Sequence, residues 1–408
     1  MPVAESVAAG REARQRVSRS AQGAWEPGPK RTGPLEILAE QDRTRVPELV
    51  PVRYGRMLAS AFTFYRGAAG IMAADLGSTP DSGLQVQLCG DAHLSNFGVF
   101  QAPDRRLVFD INDFDETLPG PFEWDVKRLA ARWGDRVTKT DRRRLQKNVA
   151  KARNKDSLRA LEKLTESRDG ELRIADRPPL LVPIAKLAER EGVDAGAITD
   201  LMKHLLSEYR GTLDHQARVL AERYHYVDAA HKVVGVGSVG TRAWIVLLLG
   251  RDAGDPLFLQ VKEAGASVLE PFAGASRFRH HGHRVVAGQR LTQAAGDVLL
   301  GWLTVEGLDG KKRDFYVRQL WDGKGSAEIE AMGPETMAGY AELCGWGLAR
   351  AHARTGDRAA ISAYLGKSDA FDQAIAEFSE AYADQNEDDY KAVLSAESSG
   401  QLQVESGV

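Results

Sequence analysis

With 408 residues, 43% of them hydrophobic and 27% charged, the chain is long enough to bury a sizeable core shared by two or three lobes. Its 54 basic and 57 acidic side chains leave a formal charge of -3, which gives no global field favouring nucleic acid or an anionic membrane. The two cysteines, Cys89 and Cys344, exclude a disulfide framework and a four-cysteine zinc site, and no apolar run approaches the roughly 18 residues of a membrane span, so a cytoplasmic location is expected.

Residues 1–33 are rich in Arg, Gly, Ser and Pro without sustained periodicity, and read as a partly mobile leader that folds against the body. Within it, 1–20 lacks the apolar core of a signal peptide. The Ala-rich stretch 57–76 has apolar residues at helical intervals, weakened by Gly67 and Gly70. Residues 84–89 alternate as a strand and run into Gly90-Asp91, and 107–111 read as a second short strand. A basic helical pattern covers 123–154. A clearer helix is expected over 198–225, with Ile198, Leu201, Met202, Leu205 and Tyr209 on one face.

Near His231 the period changes to extended. Three β-rich runs, 232–236, 242–249 and 257–261, are joined by turns short enough to favour an antiparallel meander. Helices are then expected over 283–297, 336–353 and 368–396, with strands near Trp302 and over 315–320. The fold class is α+β, in four parts. They are a leader at 1–50, a helical lobe at 51–228, an antiparallel β lobe at 229–330, and helices at 331–408 that complete the helical lobe.

The segment richest in chemistry is Cys89-Gly-Asp-Ala-His-Leu-Ser-Asn96, followed by Leu107-Val-Phe-Asp-Ile-Asn-Asp113-Phe. Phosphoryl transfer asks little covalent chemistry of a protein. It needs a carboxylate to orient the attacking hydroxyl, and an amide and a second carboxylate to hold Mg²⁺ on the phosphates. Asp91 suits the first role, Asn96 and Asp113 the second, since Mg²⁺ prefers hard oxygen ligands. The plainer alternative is that these residues make turns and that Asp110, Asp113 and Asp115 form a solvated acidic edge. Asp115 could assist a second metal, whereas Asp110 is expected to pair locally.

Gly235-Val-Gly-Ser-Val-Gly240 fits G-x-G-x-x-G, a weak signal alone. A dinucleotide site would need a helix after the glycines, and Thr241-Arg-Ala-Trp-Ile-Val-Leu-Leu-Leu249 is β-rich instead. A kinase-type turn joins two antiparallel strands over the phosphates and calls for a lysine on the third strand. Lys262, ending Leu257-Phe-Leu-Gln-Val-Lys262, supplies it. Gly235, Gly237, Ser238 and Gly240 join it as cofactor-binding candidates. Its acidic partner should sit on the next helix, where Glu270, Gln289 and Asp297 remain open choices.

The loop and strand resemble the small-molecule kinase branch of the protein-kinase-like superfamily, which includes aminoglycoside and choline phosphotransferases. That branch carries His-Gly-Asp-x-His-x-x-Asn, a strand, then Ile-Asp-Phe or Ile-Asp-Trp. Here Cys89 replaces the first His, His93 matches the second, and Asn112-Asp113-Phe114 stands for the triplet. Trp124-Asp125 looks like the later Tyr-Asp whose carboxylate braces the loop. The resemblance implies a two-lobed fold binding ATP and Mg²⁺, with Asp91 as base, Asn96 and Asp113 on the metal, and Gln319 beside the nucleotide. Kinases place the glycine turn and lysine before the catalytic loop, so this chain would be circularly permuted. In that order 315–321 enters the hinge and 342–352 is the long helix before the catalytic loop, with 57–76 the alternative for that helix.

The chain also resembles an uncharacterised bacterial family, the DUF2252 proteins. Phe64-Tyr-Arg-Gly67, Cys89 to Gly98, Asp113-Phe-Asp-Glu-Thr117, Trp124 to Leu129, Gly288-Gln-Arg290 and Asp314 to Gln319 carry that likeness. Arg56 and Arg66 could meet an acidic substrate or phosphate, and Arg318 and Lys324 lie near the hinge. His280-His-Gly-His283 reads as a solvated cluster rather than a zinc site, and Arg142-Arg-Arg144 as a solvated helix face. The acceptor is not legible, whether small molecule or protein. A nucleotide-binding regulator, AMP transfer to protein and a metal-dependent hydrolase on Asp91, His93 and Asp113 are the alternatives. No nucleic-acid or membrane partner is expected.

Overall fold

The computed structural model describes residues 1–131, 157–168, 171–233, 235–307, 309–320 and 325–407, in a mixed α+β arrangement. Arg142-Arg-Arg144 and Lys324 lie outside these residues.

At its centre is a six-stranded sheet in which all neighbours are antiparallel. The order is Gly301–Glu306, Lys312–Gln319, Pro256–Ala264, Ala243–Leu249, His225–Lys232, Leu181–Pro183. Alternation along Pro256–Ala264 sets its two faces. Leu257, Leu259 and Val261 pack with Val246, Leu248, Phe315 and Val317 under the helices Ile184–Glu191, Ala195–Gly211 and His215–Ala221. Phe258 joins Ile245, Leu247 and Leu320 on the reverse face, beneath the helix Ser157–Leu164.

Two smaller sheets belong to the helical part. Gln85–Leu88 pairs with Leu118–Pro121, and Phe97–Gln101 lies between Gly325–Ser326 and Leu107–Ile111. One core fastens the first third of the chain to its second half. Cys89, Leu94, Phe97, Ile111 and Phe114 are buried together with Val285, Val286, Tyr316, Tyr340, Cys344 and Leu348. Burial of that size holds segments far apart in sequence at fixed spacing, because each fully buried side chain contributes about 1.5–3 kcal/mol.

Several elements differ from the sequence reading for local reasons. The 57–76 stretch is three helices with the preceding turn, Val50–Met57, Ala61–Gly67 and Ala69–Leu76. Ser60 stops the first and caps the second through a capping box with Thr63. The helix expected over 198–225 ends at Gly211, a short one follows over His215–Ala221, and the strand expected at 232 already begins at His225. The leader contains a helix, Val3–Arg16, packed on Arg358–Leu365 so tightly that a Cβ on Gly10 would lie 2.1 Å from Ala360 O. The basic helix starting near 123 covers Phe122–Ala130, and the rest of 123–154 lies almost wholly outside the described residues.

Candidate functional site

The loop holding Asp91 leaves its strand through Gly90, whose φ of +86° and distance of 2.3 Å between an added Cβ and Glu116 O admit only glycine. Asp125 braces this turn from the helix Phe122–Ala130. Its carboxylate accepts the Cys89 and Gly90 N–H groups at 2.9 and 3.1 Å and meets His352 Nε2 at 3.2 Å. His352 stands on the long helix Pro334–Thr355, and Tyr340 of the same helix donates to Leu94 O and Phe97 O at 3.0 and 2.9 Å. The long helix therefore lies directly against the loop.

Asp91 itself is clamped. Arg128 donates to Oδ1 through Nε and Nη2 at 2.9 and 2.8 Å, and also to Tyr65 O at 2.6 Å. Burial would lower the proton affinity of this guanidinium, but Tyr65 and Asp91 more than reverse that. The second oxygen, Oδ2, lies 3.5 Å from both His93 Nε2 and Asn96 Nδ2, and Asn96 also donates to Asp91 O at 2.8 Å. Burial holds the His93 pKa down at about 4 against the pull of Asp91, with Arg128 and Arg66 adding to the depression. His93 is therefore neutral at neutral pH.

The strand Leu107–Ile111 delivers Asp113 to the same place, since the Asn112 N–H donates to Asn96 O at 2.7 Å. Asp113 Oδ1 accepts the Asp115 N–H at 3.1 Å. Asp115 then reaches the large sheet. Its Oδ2 meets Lys262 Nζ at 2.5 Å and Ser238 Oγ at 3.3 Å, and its Oδ1 accepts from Tyr316 Oη at 2.6 Å. Lys262 is buried at 3% exposure, and burial alone would lower its pKa; Asp115, with Tyr316 and Asp113 behind it, reverses this and holds it above the ordinary lysine range. One electrostatic chain results: His93 feels Asp91 and Asp113, and Lys262 feels Asp113 and Asp115.

The partner of Lys262 is thus none of the residues expected on or near the following helix. Glu270 accepts the Ser267 N–H, Gln289 donates to Gln293, and Asp297 accepts the N–H groups of Gln319 and Leu299. The helix His281–Thr292 contributes Arg284 instead, which donates to the carbonyls of Thr117, Asp115 and Gly265 at 2.7–2.9 Å and ties the acidic loop to the sheet.

The glycine turn lies on the same side. Gly235 and Gly240 have φ of +71° and +90°, and an added Cβ on Gly237 would sit 3.2 Å from Arg66 O. The turn is also pinned from outside. Arg56 donates to Gly235 O at 2.8 Å, the Val46 N–H to Gly240 O at 2.8 Å, and Arg45 to Val239 O. Gln319 pairs with Leu259 on the lysine strand, its N–H taken by Asp297.

The remaining candidates separate. Asp110 pairs with Arg350 on the long helix as well as with the adjacent Ile111 N–H. Arg318 bonds Gln260 and Asn112 O. His280 caps its helix by accepting the His283 N–H, and His283 stacks on Trp302 at 4.0 Å. Among the described residues no group of three or more His, Cys, Asp and Glu side chains could hold a metal. A cation held by Asn96 and Asp113 would need oxygens from a ligand as well.

Sequence reasoning missed Arg128, Tyr316, Arg284 and His352. Each has a partner more than 35 positions away in the chain, which no spacing rule could reach. Among the described residues no helix is long and apolar enough to cross a membrane.

No curated protein and no solved structure matches this chain. A family model described as an uncharacterized protein conserved in bacteria matches residues 45–134 and 132–396, so the chain belongs to that family, DUF2252.

Proposed function

We propose that this protein is a phosphotransferase using ATP with Mg²⁺, of protein-kinase-like build, with the two halves of its site in permuted order. The observation that carries the reading is the 2.5 Å contact between Lys262, behind a glycine turn, and Asp115, two residues past Asp113. It supports the reading because it brings the lysine strand and the acidic, amide-bearing loop into contact. The order also agrees: glycine turn, lysine strand, helix His281–Thr292, hinge strand Lys312–Gln319, then the long helix Pro334–Thr355 lying against the catalytic loop.

In this reading Lys262 and the N–H groups and Ser238 hydroxyl of the turn hold the nucleotide phosphates. Asn96 and Asp113 offer the hard oxygens that suit Mg²⁺, which when bound neutralises charge developing on the phosphates. Asp91, oriented by Arg128, directs its Oδ2 at the acceptor hydroxyl and takes its proton as the new oxygen–phosphorus bond forms. The bond from the β-bridging oxygen to the terminal phosphorus breaks, and ADP leaves. His93, neutral and buried, packs behind that carboxylate. Asp125 and His352 keep the loop in shape, as positioning residues.

A regulator that binds nucleotide without turnover is the second reading, favoured by the pinned turn. Incubation with isotopically labelled ATP and Mg²⁺, followed by mass spectrometry of the protein and of candidate acceptors, decides. Transfer of a phosphoryl group, lost in Asp91→Asn while nucleotide binding persists, supports the enzyme. Transfer of AMP instead selects nucleotidyl chemistry. Binding with no transfer under any condition selects the regulator, and no binding removes both.

A further inference from the structure

The reverse side of the lysine strand borders a second, chemically different space, which opens to the surface. Between the sheet and the helices Ile184–Glu191 and Ala195–Gly211 lies a cavity of about 450 Å³, within the range of small-molecule sites. Its walls are hydrocarbon: Leu201, Met202 and Leu205 from the helix, Trp244, Val261 and Phe315 from the sheet. Voids larger than a water molecule are few in a well-packed core.

The polar inventory decides what can fill this one. Tyr209 in the wall already donates to Leu299 O at 2.5 Å, and the inner strands of the wall are paired on both sides within the sheet, Gly301–Glu306 being its edge strand. Among the described residues, none of the buried side-chain nitrogens or oxygens without a partner belongs to the lining. Among the described residues the lining offers few polar side-chain groups, the Trp244 indole among them, so water would find few hydrogen-bond partners inside. The mouth is the opposite: Arg242, Glu306, Asp309 and Arg313 gather there. Arg242 shares Glu263 with Arg313, at 3.1 and 3.7 Å, and Arg313 also pairs with Asp309; the two arginine side chains remain 27% and 14% exposed.

We propose that this cavity takes the hydrocarbon tail of a single-chain amphiphile, with the head at the Arg242–Arg313 rim. An apolar interior under a charged mouth fits a molecule divided in the same way. The site stands apart from the phosphoryl-transfer reading, because its test involves no nucleotide.

The full chain is titrated with cis-parinaric acid, a fatty acid whose fluorescence rises in an apolar site. The expected result is a saturable rise with one molecule per chain, reversed by palmitic acid. Leu201→Asp puts a charge at the cavity wall from a position 45% exposed, which the fold tolerates, and should weaken binding at least tenfold. Val246→Phe fills the cavity from the sheet and should abolish it. Phe272→Asp, at an exposed phenylalanine away from the lining, should leave binding unchanged. The proposal is overturned by no saturable signal, by a signal that Leu201→Asp does not weaken, or by one that Phe272→Asp weakens as much.

Discussion

Replacing Asp115 by Asn removes a charge while keeping the shape of the side chain, and so tests the junction between the acidic loop and the lysine strand. Lys262 is 3% exposed and Asp115 26%, so the lysine would stay buried with its nearest carboxylate gone. Breaking a buried pair in this way costs about 3–5 kcal/mol. Lys262→Met should cost less, about 2 kcal/mol, because Asp115 keeps the hydroxyls of Tyr316 and Ser238 and some solvent. With both changes no charge is stranded on the lysine side, so the double variant should be about 2 kcal/mol more stable than the sum of the single losses predicts. Urea unfolding followed by tryptophan fluorescence and by far-ultraviolet circular dichroism gives each value. The pair also has a pH signature. Since the folded state raises the lysine's pKa, its contribution is complete below the unfolded lysine value of about 10.4 and is lost only as pH rises beyond it. Additive losses, with a coupling below about 0.5 kcal/mol, would refute the contact and with it the proposed shared site.

Three further changes probe the loop. His93 is held near pKa 4 against about 6.5 when unfolded, so the unfolded state binds more protons between those values and stability should fall as pH drops through that window. The loss is about 3 kcal/mol, and acid unfolding of His93→Gln should lack it; an unchanged acid limb would exclude a buried, neutral His93. Asp125→Ala strands a buried and a partly buried N–H group and an imidazole, and should destabilise by about 2–4 kcal/mol in denaturant melts, whereas a loss under about 0.5 kcal/mol would mean that the brace is not there. Gly90→Ala meets both the positive φ and the Glu116 carbonyl and should cost at least about 2 kcal/mol; an unchanged melting temperature would rule out this turn.

The sequence made legible what is local. Gly90-Asp91 and Asn96 sit within one loop, Asp113 ends the next strand, and Lys262 follows a turn between β-rich runs, so each announces itself through turn chemistry or alternation. The break at Ser60 depended on a cap that weighs little against an apolar period. Asp115 escaped as the partner of Lys262 because the expectation ran along the chain to the following helix. The carboxylate instead arrives from 147 positions upstream, positioned by a core that draws on both ends of the chain. Arg128 was hidden differently. A basic residue on a helix with Lys127 and Arg128 together looks solvated, and only the packing of that helix under Tyr65 and Asp91 buries it.

Isothermal titration calorimetry of the full chain with ATP in the presence of Mg²⁺ addresses the nucleotide claim at its root. Saturable binding at one site per chain, in the micromolar to millimolar range usual for enzyme substrates, is the expected result. It should weaken at least tenfold in Lys262→Ala and lose its dependence on Mg²⁺ in Asp113→Asn. No saturable heat, or binding that neither substitution alters, would contradict the account.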